Sequence, residues 1–256
     1  MRVCLLASGS KGNAVFVDTG GSKFLVDAGL SARELLNRLA AIGVEGAELD
    51  GILISHEHSD HIRGAGTLAR RFRIPLLISF PTLRETGSHL GKAEVIEFES
   101  GYSFAFRDTL IDPFPTTHDA CDPVGFVIES REGRFGLATD LGLVTRLVSD
   151  KLKGCRAVVL ESNHDEEMLT NGPYPWHLKQ RIKSRHGHLS NNDSALLLDG
   201  IIHGELEGVF LAHLSETNND PELAHNVART LLDSQNVCSP RLVVGQQHQV
   251  SEVLTV

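Results

Sequence analysis

The segment SHEHSDH, residues 55–61, places three histidines and two carboxylates directly after an apolar run. That run, residues 51–54, has the composition of a buried β-strand. Imidazoles and carboxylates crowded at the end of a core strand are costly to desolvate unless they are paired. A bound metal ion is one such partner, so the chain is expected to adopt a fold that brings further ligands to this strand end.

Metal-ligating side chains also follow other predicted strands, at the points where their apolar runs stop. These residues are Asp27, His118, Asp140 and His213. Strand termini along one edge of a sheet can converge in space, so the pattern predicts a single site assembled from the whole length of the chain. As alternatives, Asp140 could cap the helix predicted after it, and Asp27 could serve only the turn that it begins.

The types of residue in the cluster favour a site for two metal ions. Neutral imidazoles and carboxylates suit zinc, manganese or iron. Residues two apart in an extended loop point the same way, so His56 and His58 can hold one ion together. Asp60 and His61 can reach a second ion, and the two oxygens of Asp140 can bridge the pair. Two ions about 3.5–4 Å apart can drive hydrolysis.

Length and composition limit the other possibilities. A chain of 256 residues, 41% of them hydrophobic, is expected to form one domain, residues 1–256. No apolar run approaches the roughly 20 residues that span a bilayer. The four cysteines are scattered and form no C-x-x-C pair, which predicts reduced thiols and a cytoplasmic protein. The net charge of −9 argues against a protein that coats nucleic acid, but bound divalent ions would still permit a nuclease.

Alternating elements predict an α/β fold with two sheets packed face to face and helices outside. The predicted strands are residues 3–7, 14–18, 23–27, 52–54, 95–98, 102–106, 110–114, 125–129, 134–138, 157–160, 209–212 and 242–244. The predicted helices are residues 31–42, 62–72, 143–152, 175–184, 190–203 and 221–232. Ser31 and Glu34 predict a capping box at the start of the first helix.

The pattern H-x-H-x-D-H after an apolar strand, with isolated His, Asp and His at later strand ends, resembles the metallo-β-lactamase superfamily. The resemblance covers essentially the whole chain. It implies an αβ/βα four-layer sandwich of two mixed β-sheets with helices outside and a dinuclear site along one edge. It implies that His56, His58 and His118 hold the first ion. It implies that Asp60, His61 and His213 hold the second, that Asp140 bridges them, and that Asp27 orients the histidine loop.

Five further segments are similar to the bacterial YycJ/WalJ-like subfamily. They are SGSKGN (8–13), ESNHD (161–165), GPYP (172–175), GHLSN (187–191) and HLSETNN (213–219). The similarity implies a metal-dependent hydrolase of phosphodiesters with 5′→3′ exonuclease activity on DNA. DNA is then the expected substrate, two divalent ions (Zn, Mn or Fe) are the expected cofactors, and no obligate protein partner is expected.

Other residues near the predicted site have two readings. His164 and His188 can protonate a leaving oxygen, because histidine transfers protons near neutral pH, or they are loop histidines bonded to the backbone. Asp60 is a further catalytic candidate beside its ion. The remaining polar residues either bind phosphate or only build the tight turn after the first strand: Ser8, Ser10 and Asn13.

Residues 179–185 carry four cations in seven positions, which form either a solvated helix face or a rim that binds the DNA backbone. Tyr174 and Trp176 lie beside this run and are the pair expected to stack on bases.

Two other functions stay open on the same scaffold. One is a thioester or lactone hydrolase of the glyoxalase II type, because function depends on the substrate pocket. The other is a metal-binding scaffold without activity.

Overall fold

Two seven-stranded β-sheets form the middle of the molecule, whose computed structural model describes residues 1–256. The first sheet consists, in spatial order, of β14 (Leu254–Thr255), β1 (Arg2–Ala7), β2 (Ala14–Asp18), β3 (Lys23–Val26), β4 (Gly51–Leu53), β5 (Leu76–Ser79) and β6 (Val95–Phe98). The second consists of β13 (Arg241–Val244), β12 (Gly208–Ala212), β11 (Ala157–Glu161), β10 (Gly133–Ala138), β9 (Val124–Ser130), β8 (Thr109–Pro115) and β7 (Phe104–Phe106).

Both sheets are mixed. Strands β3 to β6 run parallel to one another, and β14, β1, β2 and β3 pair antiparallel. In the second sheet β10 to β13 are parallel, and β7 to β10 pair antiparallel. The helices are α1 (Ala32–Ala41), α2 (Ser59–Ile62), α3 (Ala65–Phe72), α4 (Phe80–Glu85), α5 (Arg146–Leu152), α6 (Glu166–Asn171), α7 (Trp176–Ile182), α8 (Asn191–Asp199) and α9 (Pro221–Asp233), with a 3-10 turn at Gly46–Glu48. None of them is long and apolar enough to cross a membrane.

Alternation along the strands builds a four-layer sandwich, because successive side chains point to opposite faces. In β1, Val3 and Leu5 pack between the sheets, whereas Cys4 and Leu6 pack outward beneath α1 and α3. In the second sheet, Val158 of β11 faces outward beneath α5, α8 and α9. The three apolar cores contain 23, 22 and 21 buried residues, so each interface between layers is equally developed. The predicted fold class is confirmed.

One edge of the sandwich collects the carboxyl ends of the strands that precede the polar residues. Strands β3 and β4 are parallel and end together, with Val26 beside Leu53. Strands β10, β11 and β12 are also parallel and in register at their ends. Strand β8 runs the same way as β10, because both are antiparallel to β9. The chain therefore leaves all these strands at one edge.

Several elements differ from the predictions. The predicted helix 62–72 is divided into α2 and α3, because Gly64 N donates to Ala28 O (2.8 Å) and Asp60 O accepts from Asn13 N (2.8 Å). Strand β5 and helices α4 and α6 were not predicted, since short apolar runs carry no clear period. The helices predicted at 143–152, 175–184 and 190–203 are shorter than expected.

Capping accounts for a further difference. Ser31 accepts from Glu34 N (3.3 Å), but the Glu34 carboxylate binds Arg38 Nε (2.8 Å), so only half of the predicted capping box forms. Helix α5 is capped by Thr145, which removes the capping alternative for Asp140. Asp220 caps α9 with Pro221 at its first position, as predicted.

Candidate metal centre

The loop after β4 brings three histidines of the predicted first-ion group together. His56, His58 and His118 each offer one potential ligand atom, and these atoms lie within 4.8 Å of one another. His56 Nε2 and His58 Nδ1 are 3.0 Å apart. His56 and His118 are buried, and burial lowers the pKa of both imidazoles. Neutral imidazole is the form that binds a metal ion.

The residues predicted for the second ion meet directly beside this group. Asp60, His61 and His213 also offer ligand atoms within 4.8 Å of one another. Asp140 lies between the two groups: its Oδ2 is 3.4 Å from His61 Nε2, and its Oδ1 is 3.7 Å from His118 Nε2. The seven predicted ligands therefore form one continuous cluster.

An outer hydrogen bond orients each of four histidine rings. His61 Nδ1 contacts Asp27 Oδ2 at 2.7 Å, and His213 Nδ1 contacts Glu161 Oε1 at 2.8 Å. His56 Nδ1 lies 2.9 Å from Ser55 Oγ, and His118 Nδ1 lies 3.2 Å from Gly187 O. A partner on Nδ1 leaves Nε2 as the ligand atom and fixes the ring, as is common for metal-bound histidine.

Asp27 also holds the histidine loop itself. Its Oδ1 accepts from Ser55 N at 2.9 Å, and its Oδ2 accepts from Ser55 Oγ at 2.8 Å. The Ser55 hydroxyl in turn contacts His56, so one carboxylate positions a predicted ligand from each group. This arrangement agrees with the orienting role expected of Asp27.

A left-handed backbone turns three of these residues out of their strands. Asp27, Asp140 and His213 have φ values of 61°, 56° and 58°. Positive φ is uncommon outside glycine, but Asp, Asn and His tolerate it best. Asp27 and His213 directly follow β3 and β12, so the turn redirects each side chain along the sheet edge. Such conformations concentrate at functional sites.

The charges of the cluster are strongly coupled. Burial opposes ionisation of Asp140, but His213, His61 and other neighbouring histidines outweigh it and hold the pKa of Asp140 well below its usual range. Burial likewise opposes protonation of His213, yet Asp140, Asp60 and Glu161 raise its pKa to about 10. The carboxylates are thus held as anions that need positive charge beside them.

Two buried atoms at the centre have no hydrogen-bond partner. They are Asp140 Oδ2 and His213 Nε2. A buried polar atom without a partner is destabilising by about 1–3 kcal/mol, so such atoms usually have a function. Both belong to predicted ligands, and the surrounding donors are imidazole nitrogens and carboxylate oxygens. The residues present therefore fit divalent metal ions such as zinc, manganese or iron.

Glu161, at the end of β11, is the main residue that the sequence reasoning missed. It is completely buried, and its Oε1 contacts His188 Nδ1 (2.7 Å) and His213 Nδ1 (2.8 Å). Its Oε2 accepts from Leu141 N (2.7 Å) and Leu189 N (3.2 Å). Burial opposes its ionisation, but His188 and His213 lower its pKa to about 2. Its position after an apolar strand was the signal that would have identified it.

His188 and His164 are placed differently. His188 has a side chain that is 21% exposed, and it lines two small cavities beside the cluster. His164 is buried, lines only one of these cavities, and forms no hydrogen bond or ion pair with the seven predicted ligands. Burial lowers the pKa of His164, and its Nδ1 has no partner.

The turn after β1 contacts residues of the cluster. Ser8 Oγ accepts from His213 N at 2.6 Å. Asn13 Nδ2 lies 3.1 Å from His61 Nε2 and 3.3 Å from Asp60 Oδ2. Ser8 and Asn13 therefore hold predicted ligands of the second group in place. Ser10 is exposed and lines the cavity of about 260 Å³ beside His188.

An αβ/βα sandwich with histidine and aspartate side chains clustered at one sheet edge defines a hydrolase of the metallo-β-lactamase type. Residues 22–207 match the family described as "Beta-lactamase superfamily domain", and the chain belongs to that superfamily. The membership predicted from the H-x-H-x-D-H pattern is thus confirmed.

Individual relatives place the chain in one subfamily. The chain is 39% identical over 240 residues to exodeoxyribonuclease YycJ of Bacillus anthracis, covering 92% of this chain and 90% of the relative. It is 40% identical over 229 residues to exodeoxyribonuclease WalJ of Streptococcus pneumoniae, covering 88% and 85%. The fold resembles the crystal structure of YhfI from Bacillus subtilis, with a TM-score of 0.74, 16% identity and 97% of each chain covered. These relatives confirm the predicted YycJ/WalJ-like subfamily.

Gly29 is expected to be essential for positioning the histidine loop. A Cβ at this residue would lie 1.5 Å from Asp60 O and 2.7 Å from Asn13 N. Overpacking typically costs about 1–3 kcal/mol, so we expect Gly29→Ala to lower Tm by roughly 2–12 °C and to reduce bound metal. Calorimetry and elemental analysis test this. Gly204→Ala is the matched control, because its added Cβ meets open space; equal metal content in both variants would contradict the prediction.

Chelation of divalent ions is expected to destabilise the protein strongly. Ions present at about 1,000 times their Kd stabilise a fold by about 4 kcal/mol, which corresponds to a Tm shift of roughly 8–16 °C at this chain length. The carboxylates of the cluster would lose the positive charge that offsets them. Calorimetry before and after complete chelation measures the shift. An unchanged Tm, with ion removal verified by elemental analysis, would show that the cluster binds no ion with useful affinity.

Proposed function

We propose that the protein is a metal-dependent phosphodiester hydrolase that acts on DNA as a 5′→3′ exonuclease. The observation that carries the proposal is the convergence of the seven predicted ligands at one sheet edge, directly beside the His188–Glu161 pair. The relatives YycJ and WalJ, both named exodeoxyribonucleases, support DNA as the substrate.

Each group of ligands would hold one ion. His56, His58 and His118 would bind the first. Asp60, His61 and His213 would bind the second, and Asp140 faces both. Divalent ions in this donor set supply Lewis acidity, which activates water and offsets negative charge on a phosphate.

His188 is the residue best placed to donate a proton to the leaving oxygen. Its Nδ1 is held by Glu161, and no protein atom hydrogen-bonds to its Nε2. The buried carboxylate fixes the orientation of the ring and leaves Nε2 free to face the substrate. His164 Nδ1 has no such partner, so we assign this step to His188 rather than to His164. Glu161 acts through His188 and His213 and is a positioning residue.

The cavity of about 260 Å³ beside His188 offers contacts for a phosphate or sugar. Ser10, Asn163 and Tyr174 contribute polar atoms to its wall. Arg181 also lines it and is paired with Asp119, with 2.6 Å between Arg181 Nε and Asp119 Oδ2. Asp119 Oδ1 lies 3.3 Å from His118 Nε2, so this ion pair reaches the edge of the cluster.

The direct test uses 5′-phosphorylated, 3′-end-labelled DNA and protein reloaded with manganese or zinc. We expect the labelled strand to shorten progressively as mononucleotides leave its 5′ end, and this shortening to be lost in His58→Ala. His89→Ala is the matched control, because His89 is exposed and outside the cluster. Hydrolysis of a thioester in parallel, without release from DNA, would overturn the nuclease and favour the small-molecule hydrolase. Inactivity toward both substrates, with metal content confirmed, would favour a scaffold without activity.

A further inference from the structure

Helix α7 carries an aromatic and basic face that takes no part in the core. None of its residues is fully buried, and Trp176 is 73% exposed. The spacing of Trp176, Lys179 and Lys183 places them on one side of the helix. Leu178, Arg181 and Ile182 lie on the other side, where they line the cavity beside His188. The exposed Trp176 is therefore not explained by packing.

The positive charge on this face is not cancelled by ion pairs. Lys179 Nζ donates to Thr170 O (2.8 Å) and Lys183 Nζ donates to Thr170 Oγ1 (2.7 Å), both of which are neutral oxygens. By contrast, Arg181 on the opposite side is neutralised by Asp119. A chain with a net charge of −9 thus keeps two unpaired ammonium groups side by side with its only tryptophan.

One end of this face lies beside the histidines next to the metal cluster. Lys183 lines a cavity of about 300 Å³ together with His164 and His188. Glu166 and Asp193 also line it, but neither carboxylate lies within ion-pair distance of Lys183. Trp176 and Lys183 are seven residues apart on the helix, or about 10 Å.

We infer that the face formed by Trp176, Lys179 and Lys183 binds single-stranded DNA and guides it toward His188. Trp176 stacks on a base, and the two lysines contact the backbone between that base and the phosphate that is cleaved. An exposed aromatic beside unpaired cations matches the chemistry of single strands, whose bases present stacking surfaces and whose phosphates are anionic. The inference deepens the proposed function and rests on it for the direction of the strand.

Fluorescence of the single tryptophan tests the inference without requiring hydrolysis. The metal-loaded protein is titrated with a phosphorothioate oligodeoxythymidylate of about twelve nucleotides, which fits the site sizes of single-strand binders. We expect quenching of Trp176 and an affinity that falls with salt. Trp176→Ala should weaken binding about tenfold, measured by anisotropy of a labelled oligonucleotide, and Trp176→Phe should retain most of it.

The salt dependence of DNA binding by charge variants gives a second test. Replacing Lys179 and Lys183 together by glutamine should make the slope of log K against log salt shallower by roughly 1.4. The matched control replaces Arg71 and Lys92, which are exposed and also lack a carboxylate partner. Arg71 lies ten residues beyond His61, near the far end of α3. Equal slopes for the two double variants, or binding without quenching, would overturn the inference.

Kinetics separate this inference from the proposed function. We expect Trp176→Ala to lower the ratio of kcat/KM for a single-stranded oligonucleotide to kcat/KM for bis(4-nitrophenyl) phosphate at least fivefold. Exonuclease activity with an unchanged ratio would overturn the docking face and leave the nuclease intact. Quenching and salt-dependent binding without any hydrolysis would overturn the nuclease and leave the docking face intact. Concentration-dependent self-association that buries Trp176 would instead make the face an interface between copies of the chain.

Discussion

Replacing Asp140 by asparagine is expected to lower kcat/KM on DNA by about 10³-fold, because metal ions supply several kcal/mol of charge stabilisation and 1.36 kcal/mol corresponds to a tenfold rate. Asp140 is the carboxylate that faces both groups of ligands, with its Oδ2 unpartnered. An amide keeps the shape of the side chain but has neither the negative charge nor two equivalent oxygens. Bound metal, measured by elemental analysis, should fall below that of the unsubstituted protein.

Asparagine is the informative substitution because of the backbone. At φ 56°, Asp140 occupies the left-handed region, which asparagine tolerates and alanine does not. The variant should therefore fold, as circular dichroism and calorimetry can verify. Asp150→Asn, at an exposed carboxylate on α5, is the control and should keep full activity. Retention of more than a tenth of the activity by Asp140→Asn would refute a bridging role.

Removing the imidazole of His188 is expected to lower kcat on DNA by about 10²–10⁴-fold, the usual contribution of general acid catalysis. The reason is that the alkoxide released from DNA is strongly basic and needs a proton. With bis(4-nitrophenyl) phosphate the leaving group is only weakly basic, so His188→Ala should reduce that rate by far less. Comparison of kcat for the two substrates measures this dependence. Equal losses on both would mean that His188 only maintains the structure.

Glu161→Gln tests whether Glu161 acts by positioning His188. Both oxygens of Glu161 accept hydrogen bonds, so the amide nitrogen of glutamine must face a donor in either orientation. A mismatched buried group costs about 1–3 kcal/mol, and partners of this kind typically change metal affinity or activity 10–100-fold. A positioning role predicts the same dependence on the leaving group as for His188→Ala. A loss of stability with no change in that dependence would restrict Glu161 to folding.

Local pattern was sufficient to predict the cluster of histidine and aspartate side chains and the layers of the fold. His56, His58, Asp60 and His61 lie in one segment, and their spacing alone brings their side chains together. His118, Asp140 and His213 each follow an apolar run, and parallel strands carry their carboxyl ends to a common edge. Blocks of strands interleaved with amphipathic helices predicted two sheets with helices outside. These features depend on periodicity and residue type, which the linear sequence contains.

The division of roles among neighbouring polar residues follows from the folded chain and not from local pattern. His164 and His188 were equivalent in the sequence, but Glu161 contacts His188 and not His164, because β11 ends at Glu161 and directs its carboxylate toward the turn before α8. Ser8 and Asn13 proved to hold His213, His61 and Asp60 through contacts that span up to 205 residues. Similarly, the run 179–185 became interpretable once Asp119 neutralised Arg181 but left Lys179 and Lys183 unpaired. Such pairings arise from chain segments that are distant in sequence, so no local pattern can specify them.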